Sequence, residues 1–153
     1  MKKILLLICS LLLVITLLCG CGAKSVDLNQ IMDYINTEYN ITNVTKIDDV
    51  TKLKRYYEIE KEDVKQFAAE YASDAKVYCE VVLVEAVDSS AADRIITSLQ
   101  NHLDAKISEG RSYSPEDVVM LESCEVYKNG NYIALIIGAD AQDIEDYFIS
   151  QLA

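Results

Sequence analysis

The run Val77-Tyr78-Cys79-Glu80-Val81-Val82-Leu83-Val84-Glu85-Ala86-Val87 constrains this chain more than any other stretch. It is rich in β-branched residues, and its apolar positions follow one another too continuously for a strand with one wet face. The run therefore predicts a central strand covered on both sides. A chain built around it needs helices on each face of a sheet.

The flanking segments supply such helices. From Asp27, Leu28, Ile31, Met32, Ile35 and Tyr39 repeat at amphipathic helical spacing, with Asp27 and Gln30 resembling a capping box. A short helical turn is expected from Asp49 to Tyr56. Glu60 and Asp63 then open what reads as a second full helix, with Val64, Phe67, Ala68 and Tyr71 on one face. After the central strand, Ser89 or Ser90 caps a long helix striped by Ala92, Ile95, Ile96, Leu99, Leu103 and Ile107, and Gly110 to Pro115 reads as a loop. A last helix starts at Asp140 and carries Ile144, Tyr147, Phe148 and Leu152.

Between these helices, Asn129-Gly130 marks a two-residue type I′ hairpin. That turn sets Lys128 opposite Asn131 and Tyr127 opposite Tyr132. One face then collects Cys124, Val126, Ile133, Leu135 and Ile137. The predicted fold is α+β: a three-stranded sheet of strand, helix crossover and β-hairpin, packed with N-terminal, crossover and C-terminal helices. Asn40 to Lys46, with two Asn-x-Thr triplets, reads as loop.

The first residues carry an address. Met1-Lys2-Lys3 is a cationic start, Ile4 to Leu18 is a mostly aliphatic run, and small residues follow. This is the pattern of a secretory signal. A membrane-anchor helix fits less well, since the run falls short of the roughly 20 apolar residues that span a bilayer. Leu18-Cys19-Gly20-Cys21 resembles the processing box of bacterial lipoproteins, Leu-x-(Gly or Ala)-Cys. That resemblance implies cleavage before Cys21 and a diacylglyceryl thioether on its sulfur, with palmitate-class acyl chains. Two chains anchor stably where one does not. The expected organisation is a signal peptide over 1–20, a lipidated Cys21 and short tether over 21–26, and one extracytoplasmic domain over 27–153.

Charge narrows the partners. The chain holds 14 Lys and Arg against 25 Asp and Glu, for a net charge of −11, and loss of Lys2 and Lys3 brings this to −13. Nucleic acid is not an expected partner. The membrane, through the lipid, and another envelope protein are. No cofactor is implied.

Little points to catalysis. There is no nucleophile elbow, P-loop or Gly-rich dinucleotide turn. His102, the one histidine, lies at the flank of an apolar stripe, without the ligand cluster a zinc site requires. The acidic runs Glu58 to Asp63 and Asp140 to Asp146 suit helix N-termini and lack calcium-loop spacing. Cys79 and Cys124 are expected as core thiols, because a last strand lying between the other two would hold them two strand spacings apart, beyond disulfide reach; the swapped strand order would make them neighbours and allow a bridge.

The order of elements, the Glu62-Asp63-Val64 start, the Tyr113-Ser114-Pro115 segment and the Asn129-Gly130-Asn131-Tyr132 turn resemble those of small lipoproteins of Gram-positive bacteria, Firmicutes in particular, whose function is uncharacterised. The resemblance implies a cell-envelope lipoprotein and transfers no catalytic residue. The expected function is a non-catalytic binding or interaction module on the extracytoplasmic face of the cell membrane; the alternative is a small hydrolase-like envelope enzyme using acidic residues. Tyr78, Tyr127 and Tyr132 are the candidate binding residues on the sheet face opposite Cys79 and Cys124: either an N-terminal helix covers this face, which is the favoured expectation, or part of it stays open with Tyr127 and Tyr132 as an aromatic platform.

The lipoprotein box yields a direct prediction. Intact-mass analysis of the membrane fraction should find a chain starting at Cys21 and carrying diacylglyceryl. An unmodified Cys21 would exclude it.

Overall fold

The computed structural model describes residues 26–74 and 76–153. The signal peptide, Cys21 and most of the tether lie outside these residues. In chain order the elements are α1 (Leu28–Glu38), β1 (Val44–Ile47), α2 (Val50–Tyr57), a 3-10 turn (Lys61–Asp63), β2 (Val64–Ala72), β3 (Glu80–Ala86), α3 (Ser89–Tyr113), α4 (Val118–Ser123), β4 (Val126–Asn129), β5 (Tyr132–Ile137) and α5 (Ala141–Leu152). The class is α+β. The sheet has five strands rather than three, in the order β1-β2-β3-β5-β4, with every neighbouring pair antiparallel.

Two strands account for the correction. The stretch expected as a second helix is β2, paired along its length with β3 and over its last residues with β1. A bulge explains why it imitates a helix. Val64 pairs with Ala86 and Gln66 with Glu85, so Lys65 is an extra residue. The insertion brings Val64 onto the same face as Phe67, Ala69 and Tyr71, giving apolar residues three and seven apart in an extended chain. The other unexpected strand, β1, is a four-residue edge with only Ile47 buried, too short and polar to show an alternating pattern.

Three of the helices begin at an aspartate whose side chain caps them. Asp27 accepts from the N–H groups of Asn29 and Gln30 at the start of α1, and Asp49 from that of Thr51 at the start of α2. The long helix α3 is capped by Asp88, which takes the Ala91 N–H at 2.8 Å, rather than by Ser89 or Ser90. It runs through Gly110 to Tyr113, where a loop was expected. At Gly110 a Cβ would lie 2.7 Å from Leu121 Cδ1, so α4 packs directly onto α3 at this point and a larger residue would displace the Leu121 side chain.

All seven residues of β3 are buried. On one face, Val82 and Val84 join Ile133 and Leu135 under Leu53 and Tyr57 of α2, Ile95, Leu99 and Leu103 of α3, and Leu121 of α4. On the other, Val81, Leu83, Ala134 and Ile136 meet Leu28, Ile31, Met32 and Ile35 of α1 with Ile144 and Phe148 of α5. The faces of β3 are thus the reverse of those expected, since its register against the hairpin is set by tertiary pairing. The hairpin loop also moves by one residue. Asn129 pairs with Tyr132, and φ is positive (+60°) at Gly130 but not at Asn131, as in a type II′ turn. Tyr127 therefore faces Ala134, not Tyr132. Strand β5 does lie between β3 and β4, and Cys79 and Cys124 are both free thiols.

Four carboxylates are buried with the sheet: Asp63, Glu70, Glu80 and Glu85. Asp63 is held by Arg94, which keeps it below the usual carboxylate range. Burial pushes Glu85 up, but bonds from Lys65 (2.6 Å) and Gln66 leave it below its ordinary value. The Gln66 carboxamide also donates to Val26 O at 2.7 Å and accepts from Leu28 N–H at 3.2 Å, clamping the entry of α1 onto β2.

Glu70 differs, because among the described residues its side chain takes a hydrogen bond only from Asn36 Nδ2, at 3.1 Å, leaving Glu70 Oε1 and Asn36 Oδ1 both buried without partners. Burial raises its pKa, with Asn36 and Lys46 opposing and Asp33 adding to the rise. The folded protein therefore holds this proton more tightly than the unfolded chain, so stability falls as pH rises from the ordinary carboxylate range through the raised folded value. Glu70→Gln should remove this loss and supply the missing donor to Asn36. Urea denaturation should show the variant no more stable than wild type near about pH 4 and more stable by about 1 kcal/mol near about pH 8. A gap independent of pH would show that Glu70 does not titrate as described.

Candidate functional site

The ends of β2, β3 and β5 meet the last turn of α2 and the middle of α3 around a cavity of about 300 Å³. Its floor is Glu80, the first residue of β3, whose side chain is only 8% exposed. His102 projects from α3 between the buried Leu99 and Leu103 turns, and its Nε2 lies 2.9 Å from Glu80 Oε1. The carboxylate sits off the ring N–H direction, so this close contact leaves Nε2 without a completed hydrogen bond. Tyr57, buried four residues after Leu53 on the inner face of α2, sets its ring edge against His102 at 4.8 Å and 65°. Burial first, and then the negative charge of Glu80, raises the Tyr57 pKa, keeping its hydroxyl protonated beside that carboxylate.

The walls are aromatic and charged. Tyr56 and Tyr71 lie 5.3 Å apart at a 42° tilt, and the Tyr71 hydroxyl donates to that of Tyr56 at 3.2 Å. Tyr78 and Cys79 come from the segment leading into β3, and Asp74 from the loop before it. Lys106 and Glu109 follow His102 at i+4 and i+7 on one face of α3. The Cys79 thiol is pushed up by burial and then by the negative charges of Glu70, Glu80 and Asp140, so it is a poor thiolate. The site thus offers a buried carboxylate, an imidazole nitrogen with bonding capacity and several aromatic rings, but no activated nucleophile. Among the described residues no group of three or more His, Cys, Asp or Glu could hold a metal ion.

The three tyrosines singled out from sequence do not converge. Tyr78 lines the cavity and packs with the core under α3. Tyr127 and Tyr132 belong to the opposite core, where Tyr127 lies edge-on to Phe148 of α5 at 6.2 Å and Tyr132 sits beside Glu85. Tyr78 is gathered instead with Tyr56, Tyr57 and Tyr71, of which the sequence places Tyr56 at the end of a short helical turn and Tyr71 on a helix face and gives Tyr57 no role. A signal for them was present: four of the chain's ten tyrosines fall between residues 56 and 78. His102, read as a boundary residue, stands at the cavity floor. Cys21 lies outside the described residues.

Fold and cavity define a class, a small α+β domain with a pocket at the end of its sheet. Within that class the chain belongs to the family described as Domain of unknown function (DUF4358), matched over residues 37–138. The matched span contains the cavity residues and all five strands; α5 lies beyond it. No match was found among curated proteins or among solved structures.

The thiol environment predicts a labelling pattern. In the native protein near neutral pH, Cys79 and the more buried Cys124 should alkylate much more slowly than a free thiol, and both should label fully on denaturation without reductant. Labelling that appears only after reduction would reveal a disulfide.

Proposed function

We propose that this protein is a lipid-anchored envelope lipoprotein, tethered through Cys21 on the extracytoplasmic face of the membrane, whose domain binds a small ligand without transforming it. The observation that carries this reading is the cavity floored by Glu80 and His102 and walled by tyrosines, a concave site with few, converging polar groups. Its position supports the tether. Gln66 clamps the chain entry at Val26 near the start of β2, while the cavity borders Ala72 at the end of that strand. Six residues of extended chain separate the two, roughly 20 Å. A domain held by residues 21–25 could thus present its cavity on the side away from the lipid.

The hydrolase alternative uses the same Glu80–His102 pair as carboxylate and base. The protonated Cys79 thiol and the absence of an activated nucleophile among the described cavity residues weigh against it.

Two measurements test the proposal on the full-length protein. Cys21→Ala should release folded protein from the membrane fraction. A small-molecule extract of the native envelope should raise the melting temperature of the wild type, and this rise should vanish in Lys106→Trp, which sets a large ring in the cavity wall. A rise that survives Lys106→Trp would place the ligand elsewhere, and no rise would remove the binding reading.

A further inference from the structure

Of the four buried carboxylates, Asp63 and Glu85 each hold a cationic side chain, Arg94 and Lys65, and Glu70 holds the Asn36 amide. Glu80 has neither. Its close polar neighbours are the misaligned His102 Nε2 and the Tyr57 hydroxyl, and Lys106, though on the cavity wall, forms no ion pair with it. Buried carboxylates are normally paired, and an ionised one has about four acceptor positions. Glu80 therefore borders the cavity with accepting capacity left over and, among the described residues, no Lys or Arg to use it.

The rest of the cavity shares this bias. Asp74 and Glu109 add two carboxylates against the single Lys106. Tyr56, Tyr57, Tyr71 and Tyr78 contribute aromatic rings, whose faces are the negative poles of their quadrupoles. Tyr56 already shows the attraction, with the Arg55 guanidinium 5.9 Å from its ring centroid. A bare metal ion is a poor fit, because the described residues contain no three-ligand group.

We infer that the cavity takes an organic ammonium group, received by the Glu80 carboxylate and the tyrosine rings. An adjacent oxygen of the ligand, such as a hydroxyl, is placed to accept from His102 Nε2–H. The volume of about 300 Å³ suits a small amine or a charged head group rather than a folded partner. This inference rests on the binding reading proposed above and specifies its ligand class.

The test is calorimetric titration of full-length, detergent-extracted protein with choline, ethanolamine, propionate and 3,3-dimethylbutan-1-ol, the neutral isostere of choline. At least one of the two cations should bind at least about tenfold more tightly than the alcohol or propionate. Glu80→Gln should weaken that binding at least about tenfold, and Lys106→Glu, a cavity variant that leaves Glu80 intact, should strengthen it. Equal binding of alcohol and cation, or preferential binding of propionate, would overturn the ammonium assignment while leaving a ligand cavity. No binding of either cation up to about 10 mM would also overturn it. If the envelope extract still shifts the melting temperature, only the ligand class fails; if it does not, the binding reading fails as well.

Discussion

Strand β3 is covered on both faces, and most of the architecture answers to that constraint. A strand of Val81, Val82, Leu83 and Val84 with no solvent side must be flanked by other strands, which take up its backbone hydrogen bonds, and roofed twice by helices. Strands β2 and β5 meet the first need, α2, α3 and α4 roof one face, and α1 with α5 roofs the other. At roughly 1.5–3 kcal/mol for each fully buried large aliphatic side chain, the two cores supply the main driving force. The polar residues of β3 are confined near its ends, where burial is harder to complete. Glu85 at one end joins the Gln66 clamp on the chain entry, and Glu80 at the other floors the cavity.

The four buried carboxylates show how one residue chemistry is given different tasks by its neighbours. Arg94 and Lys65 neutralise Asp63 and Glu85, so these can stay charged and tie loops and strands together. Glu70 meets only an amide, and burial raises its pKa above the ordinary carboxylate value. Glu80 meets an imidazole, a phenol and open space. Burial alone would not distinguish them; the partner does.

The sequence made β3, α1, α2, α3, α5 and the existence of the β4–β5 hairpin legible, because each has a period or a cap that survives without tertiary context. It concealed β2 because the bulge at Lys65 gives an extended chain a helix-like spacing, and β1 because four edge residues carry too little pattern. The hairpin turn was visible, but its register was not, since Asn-Gly and Gly-Asn both satisfy the loop chemistry. The cavity was hidden for a related reason. Tyr57, Tyr71, Glu80 and His102 come from four elements, two of which meet only once β2 is known to be a strand. His102 on its own helix is a polar residue at the edge of an apolar stripe, and nothing local places Glu80 opposite it.

The second roof of the sheet has a temporal consequence. It is built from the first and last described helices, α1 and α5, which touch through the stacked rings of Tyr34 and Tyr147, 4.2 Å apart. During synthesis α1 emerges well before α5, so Leu83, Ala134 and Ile136 cannot be fully enclosed until α5 has been made. A nascent chain that stops short of α5 therefore stays open on one side of the sheet.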